Sequence, residues 1–241
     1  MFDIFSSLRF VAPAQHSVPS KGRVMWNAFL LVPLSSLILV IVIEIEDAFD
    51  KHWLEEILDT VFYREQFMET TFLIVVIIIG PVIEEVAFRG FVTKNRILAV
   101  LSMTGIITLC SFTLAAYLPV RISEDAQVFS GIAAMSAVGA LLYFLNKHRE
   151  ELINFIEMHH YKLIHCSMLA FALMHIPNHD ISNASLQGLL HLPLVLLQYY
   201  AYAIAFTYIR IKNGLYWSIG AHMFVNGVAS LLAYAELNSS I

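Results

Sequence analysis

Apolar residues run along this chain in long stretches separated by short clusters of charge. Seven stretches, near 25–43, 70–92, 97–118, 128–146, 161–177, 188–209 and 214–235, each reach the about 17–25 residues that a helix needs to cross a bilayer. The pattern predicts an all-α fold, a polytopic transmembrane bundle of about seven spans.

Composition strengthens that reading. Of the 241 residues, 59% are hydrophobic and 14% charged, and the mean hydropathy is +0.71, where soluble domains are roughly half apolar. The chain is therefore expected to be an integral, multi-pass membrane protein with the lipid bilayer as a partner. The first stretch follows mixed residues including Arg9, Lys21 and Arg23 and has no small-residue cleavage site after it, so it is expected to be retained. Arg9, Lys21, Arg23, Lys94, Arg96, Lys147, Arg149, Lys162, Arg210 and Lys212 fall on one side of the seven spans. Lys51, Arg64 and Arg121 fall on the other. The positive-inside bias then places the N-terminus in the cytosol and the C-terminus outside.

A net charge of −5 without a dense basic run argues against nucleic acid as a partner. Cys110 and Cys166 lie within predicted spans and support neither a disulfide framework nor a cysteine metal cluster. No hydrophilic stretch is long enough to bury a core of its own, so residues 1–241 read as a single integral membrane domain. In the outer segment Glu44–Glu69, residues Trp53, Leu54, Ile57, Leu58, Val61 and Phe62 recur at near-helical spacing among acids, which suits an interfacial amphipathic helix. The inner segment Lys147–Lys162 is either a cytosolic extension of the fifth span or, the favoured reading, a solvated helix face.

Against this background Glu84, Glu85 and Arg89 are costly, because they sit inside the apolar run 70–92 and intramembrane charges usually mark a working site. On a helix Glu85 and Arg89 share a face, acid before base, and are expected to pair. Glu84 is turned about 100° away and remains as a freer carboxylate, a candidate general base. Gly80-Pro81 just before them is expected to start or kink a helix. The fifth span adds Phe171 and His175 as F-x-x-x-H, and the seventh adds His222 and Asn226 as H-x-x-x-N. Glu84, His175, His222 and Asn226 all fall in the central part of their spans, which allows three helices to aim them into one pocket. At about 1.5 Å of rise per residue, His175 comes out nearer the outer side than Glu84, a mismatch that tilt or an uneven span could absorb.

The order E-E-x-x-x-R, F-x-x-x-H, H-x-x-x-N resembles the CAAX protease and bacteriocin-processing (CPBP, or Abi) family of intramembrane peptidases. The resemblance extends to Gly80-Pro81, Phe88-Arg89-Gly90, the Ser167–His175 approach and Gly214-Leu215-Tyr216-Trp217 ahead of Ala221-His222. It covers residues 70–232, the expected peptidase core. It implies that Glu84 is the activating carboxylate, Glu85 and Arg89 its motif partners, His175 the histidine of the second motif, and His222 with Asn226 the pair of the third.

Peptide hydrolysis needs an activated water and a site for the oxyanion. In a metal-free version Glu84 and His175 activate water while His222 and Asn226 hold the oxyanion. In a zinc version His175, His222 and Glu84 bind the metal. The family is often labelled metalloprotease, but H-E-x-x-H is absent here and the spacing leans slightly to the metal-free version. No cofactor is called for with certainty; zinc is the alternative. A Ser218–His222 pair four residues apart offers a weaker, serine-type reading. His179 and Asp180 read as a solvated outer loop, and His165, His191, His159 and His160 as packing or interfacial residues.

The expected partner is a membrane-associated peptide or protein substrate. The expected location is the inner membrane for a bacterial source and the endoplasmic reticulum for a eukaryotic one. The rival functions are a proton- or ion-coupled transporter that uses the same acids and histidines as a relay, and a non-catalytic immunity or interaction protein of the same fold.

Overall fold

A computed structural model describes residues 20–49, 51, 70–92, 95–116, 124–179 and 185–239, and among them the chain is all helical. The helices are α1 (Lys21–Phe29), α2 (Leu31–Ala48), α3 (Thr70–Ile74), a π-helical stretch Val75–Ile79, α4 (Gly80–Arg89), α5 (Arg96–Ala116), α6 (Glu124–Lys147), α7 (Arg149–Leu173), α8 (Leu186–Asn213) and α9 (Leu215–Ser239). Among the described residues, three helical stretches are long and apolar enough to cross a membrane: 21–47, 71–92 and 186–213. Helices α5, α6, α7 and α9 have 21, 24, 25 and 25 residues, which at about 1.5 Å per residue reaches the bilayer core thickness. The amphipathic pattern expected from Trp53 to Phe62 lies outside the described residues.

Local sequence sets the breaks. Pro33 has no N–H for the Phe29 carbonyl, and the first span divides into α1 and α2 at Leu30. Pro177 cannot tolerate a helical carbonyl four residues before it, and Leu173 is the last residue of α7. Gly214, at φ +100°, is the single residue between α8 and α9, a conformation that glycine adopts without the Cβ penalty.

Helix α8 is the centre of the bundle and packs against α1, α2, α7 and α9, while α4 packs against α5, α7 and α9. Phe88, Phe91, Met168, Phe171, Phe206 and Tyr208 form the middle of the core. Leu37, Ile41 and Ile45 on α2 stay exposed, as suits a lipid-facing side. The inner segment contributes more than a solvated face: α7 begins at Arg149, Ile156 is buried, and Leu152 and Ile153 pack against the core.

Without a hydrophobic drive between helices in lipid, small residues at crossings matter. A Cβ added at Gly105 of α5 would stand 2.7 Å from the Ala87 Cβ of α4. Gly105→Val is expected to cost about 1–3 kcal/mol through overpacking, read as a lower thermal unfolding midpoint in detergent. Gly139, with nothing within 4 Å of an added Cβ, supplies the control: Gly139→Ala should hold or raise the midpoint.

Candidate active site

The site is built around α4, and both ends of that helix are held by other helices. At its start, the Gly80 N–H donates to the Val75 carbonyl, so it is not available to Val76. The next residue, Pro81, has no N–H to give. The carbonyl of Val76 is thereby released from the ladder, and Asn226 of α9 donates to it from Nδ2 at 2.9 Å. Such π-helical interruptions are frequent at functional sites.

At the other end the last carbonyls of a helix lack ladder partners, and three neighbours supply donors. The Ser102 hydroxyl of α5 donates to Ala87 O. The Ser167 hydroxyl of α7 donates to Phe88 O at 2.5 Å. Arg210 Nε of α8 donates to Arg89 O at 3.2 Å. Arg210, counted from the sequence only among the basic residues on one side of the spans, is 6% exposed and acts as a buried cap.

Glu85 and Arg89 form an ion pair at 2.5 Å, both fully buried. A buried pair persists only if its remaining donors and acceptors are satisfied, and here they are well supplied. Glu85 Oε1 also takes a hydrogen bond from His222 Nδ1 at 3.0 Å, and Oε2 takes one from Ser218. Arg89 Nε donates to Thr207 Oγ1 at 3.3 Å, and the guanidinium carbon lies 4.6 and 5.4 Å from the ring centroids of Phe171 and Phe206. Ser218 is fully buried, has the Phe206 carbonyl 2.9 Å away as its other acceptor, and does not line the cavity. That position leaves the serine-type reading without a nucleophile.

Glu84 faces the other way, into a cavity of about 460 Å³ lined by Val76, Gly80, His175, His222 and Asn226 among others. Its Oε2 is buried without a hydrogen-bond partner, with Nε2 of His222 at 3.8 Å and Nε2 of His175 at 4.0 Å. The difference in depth expected between Glu84 and His175 does not keep their side chains apart. His175 lies in the turn after α7, not on the helix, and its Nδ1 is 2.8 Å from the Phe171 carbonyl. That contact makes Nδ1 a donor; in the neutral ring Nε2 then carries the lone pair on the side of Glu84. The His222 ring stacks on Phe206, with centroids 4.5 Å apart and planes at 21°.

Of the supporting residues, Ser102, Thr207 and Arg210 were not read from the sequence as part of the site, Ser167 entered only at the start of the approach to His175, and Ser218 only as a serine-type nucleophile. The available signal was a hydroxyl or a cation within or beside an apolar span. His179 is a correction: it is 6% exposed, with Nε2 3.1 Å from the Tyr199 hydroxyl, so it is buried and not on a solvated loop. Asp180 lies outside the described residues. His191 sits 2.9 Å from Glu46, and His165 lies 3.4 Å from the Tyr200 hydroxyl. His159 marks a kink in α7 with its ring on Phe155, and His160 packs edge-on to Phe91.

Two imidazoles and a carboxylate are a donor set that zinc accepts, but a tetrahedral zinc site brings its donor atoms within about 3.3 Å of each other. The 3.8 and 4.0 Å separations are wider, and among the described residues no group of three His, Cys, Asp or Glu side chains is gathered so as to hold a metal ion. The same gaps suit a water: hydrogen bonds of about 2.8 Å to two such atoms would meet at roughly 90°.

Comparison with known proteins adds one match. Residues 144–228 fit the family model of the type II CAAX prenyl endopeptidase Rce1-like proteins. No curated protein and no solved structure matches. The matched segment holds Phe171, His175, Ser218, His222 and Asn226, while Glu84, Glu85 and Arg89 precede it and join it through the contacts above. Over residues 144–228 the chain is thus similar to the type II CAAX prenyl endopeptidase Rce1-like proteins, in agreement with the resemblance read from the motifs and within an all-helical membrane fold.

Proposed function

We propose that the chain is an intramembrane endopeptidase that hydrolyses a peptide bond of a membrane-associated peptide or protein with a water activated by Glu84 and His175. The observation that carries this reading is the buried, unpartnered Oε2 of Glu84 facing the Nε2 atoms of two histidines across a cavity. A water there gives a proton to Glu84 as its oxygen attacks the substrate carbonyl carbon. The bound proton passes to the leaving nitrogen as the C–N bond breaks, so no covalent intermediate forms.

The developing oxyanion is held by His222 and Asn226. With Nδ1–H committed to Glu85, His222 turns Nε2 to the cavity and donates to the oxyanion from that nitrogen when it carries a proton. Asn226 has one amide hydrogen on Val76 and the other for the oxyanion. In this reading Glu85 and Arg89 act by fixing His222. Residues 70–232 form the peptidase core of a single seven-span domain with a cytosolic N-terminus.

The test is cleavage of a peptide library by the purified protein in detergent. Asn226→Ala is expected to lower kcat by about 10²–10³-fold, the usual effect of losing one oxyanion donor, with KM little changed. Metal dependence is read separately, by elemental analysis of active protein after chelation. Activity without bound metal supports the water mechanism, and loss of activity restored by zinc overturns it.

A further inference from the structure

His175 is the least anchored member of the site, because its backbone belongs to a turn and not to a helix: α7 ends at Leu173, and Ile176–Asn178 form a single 3₁₀ turn. One hydrogen bond, to Phe171 O, fixes its Nδ1 but leaves the ring free to swing about that bond. The neighbouring helix α8 supplies a second constraint through Tyr199. The Tyr199 ring stacks on the His175 ring, with centroids 4.3 Å apart and planes at 26°. Its hydroxyl lies 3.1 Å from His179 Nε2 and also takes a hydrogen bond from the Asn178 side chain. Residues 175, 178 and 179 of one turn are therefore all tied to a single side chain on another helix.

The geometry points to Tyr199 as a positioning residue that staples the 175–179 turn to α8 and holds the Nε2 atom of His175 toward Glu84. Tyr199 itself lines the cavity, and the His175 ring also lies against Phe171, with centroids 4.6 Å apart. Two parts of the side chain do separate work: the ring sets the plane of the imidazole, and the hydroxyl holds the turn in place. This assignment rests on the peptidase reading for its consequence in catalysis, but not for the staple itself.

Two variants of the full-length protein separate these parts. Tyr199→Leu removes stack and hydroxyl together and should lower kcat by about 10²-fold with KM unchanged, the scale of a reacting group displaced by an ångström. Tyr199→Phe keeps the stack and should fall between that variant and wild type. An unchanged kcat in Tyr199→Leu, or a loss confined to KM, overturns the assignment.

A readout independent of cleavage is the NMR signal of the His175 ring, identified by its disappearance in His175→Gln. Tyr199→Leu should move it by the lost ring current and the released turn, and Tyr199→Phe should move it less. A signal unmoved in Tyr199→Leu overturns the staple even if no peptide is ever cut, whereas a shifted signal without any cleavage supports the staple and faults the peptidase reading alone. If Tyr199→Leu does not fold, Tyr199→Phe decides: reduced kcat at an unchanged thermal midpoint supports the staple, and unchanged kcat overturns it.

Discussion

Glu84→Gln should reduce kcat by about a thousandfold, within the range attributed to a positioned general base, while the protein folds normally. The substitution preserves shape and removes the charge. Oε2 of Glu84 makes no hydrogen bond within the protein, so its loss breaks no contact that holds helices together, and the thermal midpoint should stay close to wild type or rise. A structural acid would behave in the opposite way. The measurement is a pair: initial cleavage rates and a thermal melt on the same preparation. A large loss of stability would mean that Glu84 holds the bundle together instead of working in it.

Arg89→Met should lower stability as well as activity. Glu85 has no exposure and loses a partner at 2.5 Å, and breaking a buried pair from one side costs about 3–5 kcal/mol because the remaining charge is stranded. For a chain of this length that corresponds to a drop of on the order of 10 °C in the unfolding midpoint. Glu85→Gln combined with Arg89→Met should cost less than the sum of the single changes, since neither charge is then left alone. Both variants should also be inactive, because Glu85 accepts the hydrogen bond that orients His222.

The contrast between these neighbouring residues follows from helix geometry, and that much was legible in the sequence. A rotation of about 100° between adjacent helical residues is enough to send Glu85 into the packed interior with Arg89 and Glu84 into the cavity. The all-helical fold was legible for an equally simple reason, since long apolar runs at bilayer length admit few other structures.

What escaped the sequence was mostly non-local. That Asn226 donates to a backbone carbonyl depends on the π-helical stretch at Val75–Ile79 and on Pro81 together, and nothing in H-x-x-x-N announces it. The donors to Ala87, Phe88 and Arg89 come from three helices, so no spacing rule connects them. The side chains of Glu84 and His175 meet despite the offset in depth counted at the α-helical rise, from which the π stretch and the turn at Met174–His175 both depart. His179 was misread because a proline before it suggested a loop in solvent; Tyr199, twenty residues further on, buries it.

The most direct measurement is cleavage of a peptide library by the purified wild-type protein beside His175→Ala and Glu84→Ala, at matched concentrations of folded protein. The account predicts discrete cleavage products from wild type and none above background from either variant. Full cleavage by both variants would contradict it.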